Sequence, residues 1–133
     1  MKISILLPYK ENFSPIYAGA VSLFVKDTTK ISKFKKFITI YGNTNLKKIY
    51  KLNYKNIHLK KNIIQSGSKK YVDEFLKCEK QSPSDLIEIH NRPNYFHMIY
   101  NKKISQKIVL YFHNDPLTMT GSRSVGDRKK LLT

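Results

Sequence analysis

His90 and His113 each stand at the end of a mainly apolar run, Leu86-Ile87-Glu88-Ile89 before the first and Ile108-Val109-Leu110-Tyr111-Phe112 before the second. A histidine so placed leaves the core at a rim, where a neutral imidazole can donate to or accept from a ligand near physiological pH. Polar residues accompany both: Asn91 and Arg92 follow His90, while Asn114 and Asp115 follow His113. Two more polar clusters, Lys10-Glu11-Asn12 and Gly42-Asn43-Thr44, also come after apolar runs. For Asn43, Asn114 and Asp115 taken singly, a turn former or helix cap is an equally good reading. His58 and His97 have no comparable setting. Two histidines with Asp115 make a poor zinc set without HExxH or similar spacing, so no metal is expected. Cys78, the only cysteine, precludes an internal disulfide and reads as structural, because no activating base lies near it in the sequence.

The first twenty-five residues set the frame that must hold these groups. Ile3-Ser4-Ile5-Leu6-Leu7 is short, β-branched and almost wholly apolar, as a strand covered on both faces must be. A polar turn follows, and Ser14-Pro15 has the form of an N-cap with proline at the first helical position. Tyr17, Ala20, Val21, Phe24, Val25 and Thr28 then make one helical stripe. Gly19, between Ala18 and Ala20, leaves room for an anion to approach a helix N-terminus behind the carboxyl end of a strand.

Further strands are predicted at residues 37–41, 53–60, 86–90 and 108–112, the second of these at a wet sheet edge, and further helices at 68–80 and after Pro93. A last helix begins near Asp127. Strands alternating with helices imply an α/β fold, a Rossmann-like doubly wound and mainly parallel sheet of about five strands in a single domain over residues 1–133. The first strand is expected at the centre, between the second and the fourth. In such a sheet the ligand sits in the crevice at the carboxyl ends of the strands, so the four polar clusters should converge there.

Composition bounds the rest. The 133 residues, 41% hydrophobic and 26% charged, suit one soluble domain, and the formal charge is +16. Three of the 25 basic residues are arginine and the others lysine, dispersed along the chain. Base readout favours arginine, which argues against nucleic acid. Drift toward A/T-rich codons is the bland explanation; attraction to an anionic membrane surface is the functional one. No run approaches a membrane span and the N-terminus shows no signal-peptide pattern, so a cytoplasmic location is expected, with peripheral membrane association.

The N-terminal strand, small-residue loop and helix, with Ile87-Glu88-Ile89-His90-Asn91-Arg92-Pro93 and Val109-Leu110-Tyr111-Phe112-His113-Asn114-Asp115-Pro116, resemble the N-terminal half of GT-B glycosyltransferases. The likeness is to the large retaining family that includes bacterial lipopolysaccharide and mannosyl transferases. It implies two Rossmann-like domains across a cleft, the first binding a glycan or lipid-linked acceptor and the second a nucleotide-sugar donor, with no other cofactor. The resemblance implies that His113 contacts the transferred sugar and that Ala18, Gly19 and Ala20 form the loop facing the donor diphosphate, with Ala18 where relatives carry a first glycine. Glu11, Asn12, His90, Asn91, Arg92, Asn114 and Asp115 are expected on the acceptor side. On this reading the chain is the acceptor-binding half of a hexosyltransferase, inactive alone, with its C-terminal domain lying beyond residue 133. GxGxxG and GxxxxGK[ST] are both missing, which argues against a dinucleotide oxidoreductase and a P-loop enzyme. A noncatalytic, flavodoxin-like basic domain binding RNA or a protein partner is the alternative.

Overall fold

The computed structural model describes residues 1–61 and 64–132. Five strands, β1 (Ile3–Leu6), β2 (Ile38–Gly42), β3 (Tyr54–Asn56), β4 (Leu86–His90) and β5 (Lys107–Tyr111), form one sheet in the order β3-β2-β1-β4-β5. All four pairings are parallel. β1 is central and buried along its length, as its apolar sequence requires, and the short β3 is a half-exposed edge. The order reverses between β1 and β4, and at such a reversal the two halves of a doubly wound sheet open a crevice beyond their carboxyl ends.

Helices cover both faces. On one, α1 (Ala20–Ile31) lays Val21 and Val25 on Ile3, Ile5, Leu7, Ile38 and Ile40, with Phe13 from the loop in the same cluster. On the other, α2 (Gly67–Gln81) and α3 (Pro93–Tyr100) bring Tyr71, Val72, Phe75, Tyr95, Phe96 and Ile99 onto Leu6, Tyr41, Ile87 and Ile89. Leu131 of the short α4 (Val125–Leu131) joins that second cluster. The alternation of Ile5 and Leu7 against Leu6, and of Glu88 and His90 against Ile87 and Ile89, follows from the two-residue period of a strand.

Two expectations fail at the start of α1. The helix begins six residues after Ser14, with Gly19 as its N-cap, and Tyr17 is 85% exposed with φ +53°, a left-handed conformation that interrupts a helix. Ser14 caps nothing: its buried hydroxyl accepts the Ile16 N–H at 3.1 Å and closes a tight turn. The true inner face of α1 is Val21, Ser22, Val25 and Thr29.

One polar group in the core ties the layers together. Glu79, buried near the end of α2, accepts hydrogen bonds from the Ser4 hydroxyl of β1, the Ser84 N–H at 3.0 Å and the Ser84 hydroxyl at 2.8 Å. These bonds fix α2 to the central strand and to the entry of β4. A buried carboxylate persists only when its oxygens are satisfied in this way.

Candidate functional site

The histidines do come together. His90, the last residue of β4 and fully buried, lies across from Tyr111 of β5, and His113 two residues on turns back so that its Nε2 is 2.9 Å from His90 Nδ1. On the far side of the ring, His90 Nε2 is 2.5 Å from Glu88 Oε1. Glu88 escaped sequence reasoning about strand ends. Its signal was present nonetheless, as an acidic residue inside an apolar strand, two positions before a histidine and so on the same face.

Donor and acceptor rules order this chain of three. A carboxylate only accepts, so His90 donates Nε2–H to Glu88; when the ring carries that single proton, its Nδ1 lone pair accepts the Nε2–H of His113. His113 is left with Nδ1 as its free acceptor. The arrangement therefore presents a lone pair outward, suited to a ligand hydroxyl, and can pass the stabilising effect of Glu88 along two rings when His113 takes up a proton.

Aromatic rings hold the chain in place. Phe24 of α1 meets His113 edge-on at 4.9 Å between centroids and lies 5.3 Å from Tyr111, while His90 stacks on Tyr111 at 5.3 Å. Although His113 as a residue is exposed, these rings take water from one side of its imidazole. That burial, followed by the neighbouring His90, lowers its pKa below the ordinary 6.5, against the opposing pull of Glu11 and Glu88. The neutral, accepting form is thus favoured at neutral pH. Tyr111 and Val109 of β5 stay partly open on this face, so the site is an exposed shelf beside α1.

Asn91 builds the rim. It adopts φ +56°, a left-handed conformation that asparagine tolerates better than most residues, and so turns the chain out of β4. Its N–H donates to Tyr111 O at 2.7 Å, its Oδ1 accepts the N–H groups of His113 and Asn114, each at 3.3 Å, and its Nδ2 donates to Asn114 Oδ1 at 3.3 Å. These contacts splice the ends of β4 and β5 and aim His113. Arg92 folds back onto Asn91 O at 2.8 Å, and Asp115 caps a single 3-10 turn by accepting the Leu117 N–H at 2.9 Å. Asn43 likewise serves the fold, donating to Ile57 O at 2.8 Å. His97 reaches Gly121 O at 2.7 Å, away from the crevice.

The expected diphosphate loop has an occupant from the protein itself. Glu11 Oε1 accepts the Ser22 N–H at 3.1 Å in the first turn of α1, and a Cβ on Gly19 would overlap the Glu11 carboxylate. Glu11 therefore supplies the negative charge that a helix N-terminus attracts, in place of a side-chain cap from Gly19. Ala18 is half-buried and Ala20 exposed beside it, and Asn12 is half-buried in the preceding loop, whose Phe13 N–H donates to Thr44 Oγ1 at 2.9 Å. The four polar clusters stand at the carboxyl ends of β1, β2, β4 and β5, where hydrogen bonds join them as two pairs: the histidine chain and Asn91 over β4 and β5, and the Phe13 to Thr44 contact between the loop after β1 and the end of β2.

Cavities of about 670 and 680 Å³ lie elsewhere, on the α2 and α3 face, the first lined by Phe96, Tyr100, Ile104 and Leu131 and the second by Leu76, Lys80 and Lys102, and neither includes a histidine. Among the described residues no group of three or more His, Cys, Asp or Glu is placed to hold a metal ion, and no helix is long and apolar enough to cross a membrane. Comparison of the chain with models of known protein families, with curated protein sequences and with solved structures finds no match.

Proposed function

We propose that this domain is the acceptor-binding half of a glycosyltransferase, with His113 holding a hydroxyl of the transferred sugar. The observation that carries the reading is the Glu88–His90–His113 chain, which turns the lone pair of His113 Nδ1 outward at the rim of a doubly wound sheet. A hydroxyl-bearing ligand is the natural partner of such an acceptor, whereas a phosphate, itself an acceptor, is not. Sugar transfer also develops positive charge at the anomeric carbon, and a neutral histidine backed through His90 by the Glu88 carboxylate suits that charge. The α1 N-terminus serves the departing diphosphate only when Glu11 swings away, and the rest of the donor site belongs to a second domain outside this chain. The acceptor is a cell-envelope glycan or a lipid-linked glycan, reached from the cytoplasmic side at the membrane periphery.

The test is titration of residues 1–133 with nucleotide sugars and with free methyl glycosides, followed by the ¹⁵N and ¹H resonances of the histidine rings. Weak binding that perturbs His113, abolished by His113→Ala and without turnover, supports the reading. Donor-dependent sugar transfer by this chain alone, or saturation without any change at His113, overturns it. In a protein carrying both domains, His113→Ala should lower kcat/KM by at least about 10²-fold, the usual order for a positioned transition-state contact.

A further inference from the structure

From the last two residues of α1 to the start of β2 the chain reads Lys30-Ile31-Ser32-Lys33-Phe34-Lys35-Lys36-Phe37, and its apolar side chains face outward. Ile31 is 84% exposed, Phe34 47% and Phe37 48%, among four exposed lysines. This is not loose chain. Ser32 N–H donates to Thr29 O at 3.2 Å, Ser32 Oγ accepts the Phe34 N–H at 3.1 Å, and Phe37 N–H donates to Phe34 O at 2.8 Å in a 3-10 turn over Lys35–Phe37. Buried Thr29 and Ile38 anchor the two ends. Two rings and an isoleucine are therefore held in water by a fixed backbone, next to concentrated positive charge. The single acid of α1, Asp27, is engaged by Lys26 at 2.8 Å, and among the described residues none of the four lysines has a carboxylate partner.

We infer that residues 30–37 are a docking surface for an anionic lipid bilayer, with Ile31, Phe34 and Phe37 entering the headgroup region and Lys30, Lys33, Lys35 and Lys36 meeting lipid phosphates. The charge fits: each lysine near an anionic surface strengthens binding about fivefold, and four together about 10²–10³-fold. The apolar side chains decide between lipid and nucleic acid. Bases stack on flat rings and are read by arginine, but Ile31 offers no stacking surface and the stretch contains no arginine. Aliphatic and aromatic groups flanked by lysine instead match a side that buries its apolar part at the acyl boundary. The surface is independent of the histidine site. It sits at the amino end of β2, about 17 Å along a five-residue strand from the crevice at the carboxyl ends, so docking leaves the crevice open to water.

The test uses co-sedimentation of the whole chain with phosphatidylcholine vesicles, with and without phosphatidylglycerol. Binding is expected only with phosphatidylglycerol, to weaken at least tenfold in Phe34→Ser/Phe37→Ser, and to weaken more than tenfold in Lys33→Gln/Lys35→Gln/Lys36→Gln. The chain has no tryptophan, so Phe37→Trp adds a single reporter, conservative enough to keep the fold, whose emission should shift to the blue on phosphatidylglycerol vesicles. Vesicle binding unchanged in the serine variant, an unshifted tryptophan, or retention on RNA by a protein that ignores anionic vesicles each overturns the assignment.

Discussion

Replacing Gly19 with alanine probes whether Glu11 is the cap of α1, because the substitution has opposite expected signs with and without that carboxylate. Gly19 has φ −73° and ψ 162°, values any residue adopts, so alanine adds no backbone strain. By itself such a change stabilises by about 0.4–1 kcal/mol, through loss of freedom in the unfolded chain. Here the new Cβ collides with the Glu11 carboxylate and forces it off the Ser22 N–H. Losing a cap costs about 0.5–2 kcal/mol, and the half-buried position of Glu11 argues for the middle of that range, about 1 kcal/mol. In the native background Gly19→Ala should therefore be neutral to destabilising by about 0.6 kcal/mol, and Glu11→Ala should cost about 1 kcal/mol. In the Glu11→Ala background, Gly19→Ala should stabilise by about 0.4–1 kcal/mol, giving a coupling of about 1 kcal/mol, the worth of the cap itself. Urea unfolding of the four proteins, followed by circular dichroism, reads all these values. Additivity within about 0.3–0.5 kcal/mol would refute the capping role, since independent sites behave that way. A cap that can be displaced also bears on ligand binding: inorganic phosphate should bind more tightly to Glu11→Ala than to the native chain.

Three further outcomes follow from the same contacts. Glu79→Ala strands the Ser4 and Ser84 hydroxyls and the Ser84 N–H in the core, and should cost about 3–5 kcal/mol in urea unfolding; a cost below about 1 kcal/mol would mean that water replaces the carboxylate. At pH 8, ¹⁵N-resolved histidine spectra should show both His90 and His113 protonated at Nε2, with scalar coupling across the Nδ1 to Nε2 hydrogen bond. Glu88→Ala should abolish that coupling, Glu88→Gln should retain it through its side-chain carbonyl, and a coupling indifferent to Glu88→Ala would remove Glu88 from the chain. Because the folded pKa of His113 lies below its ordinary 6.5, the stability this group carries is complete above 6.5 and is lost as pH falls through the folded value. The stability difference between the native chain and His113→Asn should accordingly be flat above about pH 7.5 and move against the native chain at lower pH; a difference that moves the other way contradicts a lowered pKa.

Much of the sheet was legible because its inner strands obey one rule. A strand buried on both faces must be continuously apolar, and Ile3-Ser4-Ile5-Leu6 is the run that lies at the centre, between β2 and β4. The position of His113 was legible for a related reason, since a polar residue just past a strand emerges at the rim, but His90 was expected there too and instead ends β4 fully buried, covered by Tyr111 and His113 of the neighbouring strand and its exit. The start of α1 was not. Ser14-Pro15 is a sound local cap signal, but the real cap comes from Glu11, which reaches the Ser22 N–H across a loop anchored by buried Phe13. No local spacing announces that contact, because loop geometry and not helical period brings the two together.

The histidine chain shows where local pattern ends and topology begins. Glu88 and His90 share a face by the two-residue period alone, so their contact could be read from one strand. The bond from His90 to His113 depends on β4 and β5 being neighbours in the register His90 to Tyr111, and on the left-handed turn at Asn91 that gathers the backbone of His113 and Asn114. That order of dependence also separates the roles of these residues. Removing Asn91 should disturb the splice between strands and so the placement of His113, while removing Glu88 should leave the splice intact and change only which nitrogen of each ring carries the proton. Asparagine at 91 is thus a requirement of the backbone, and glutamate at 88 a requirement of the chemistry presented by His113.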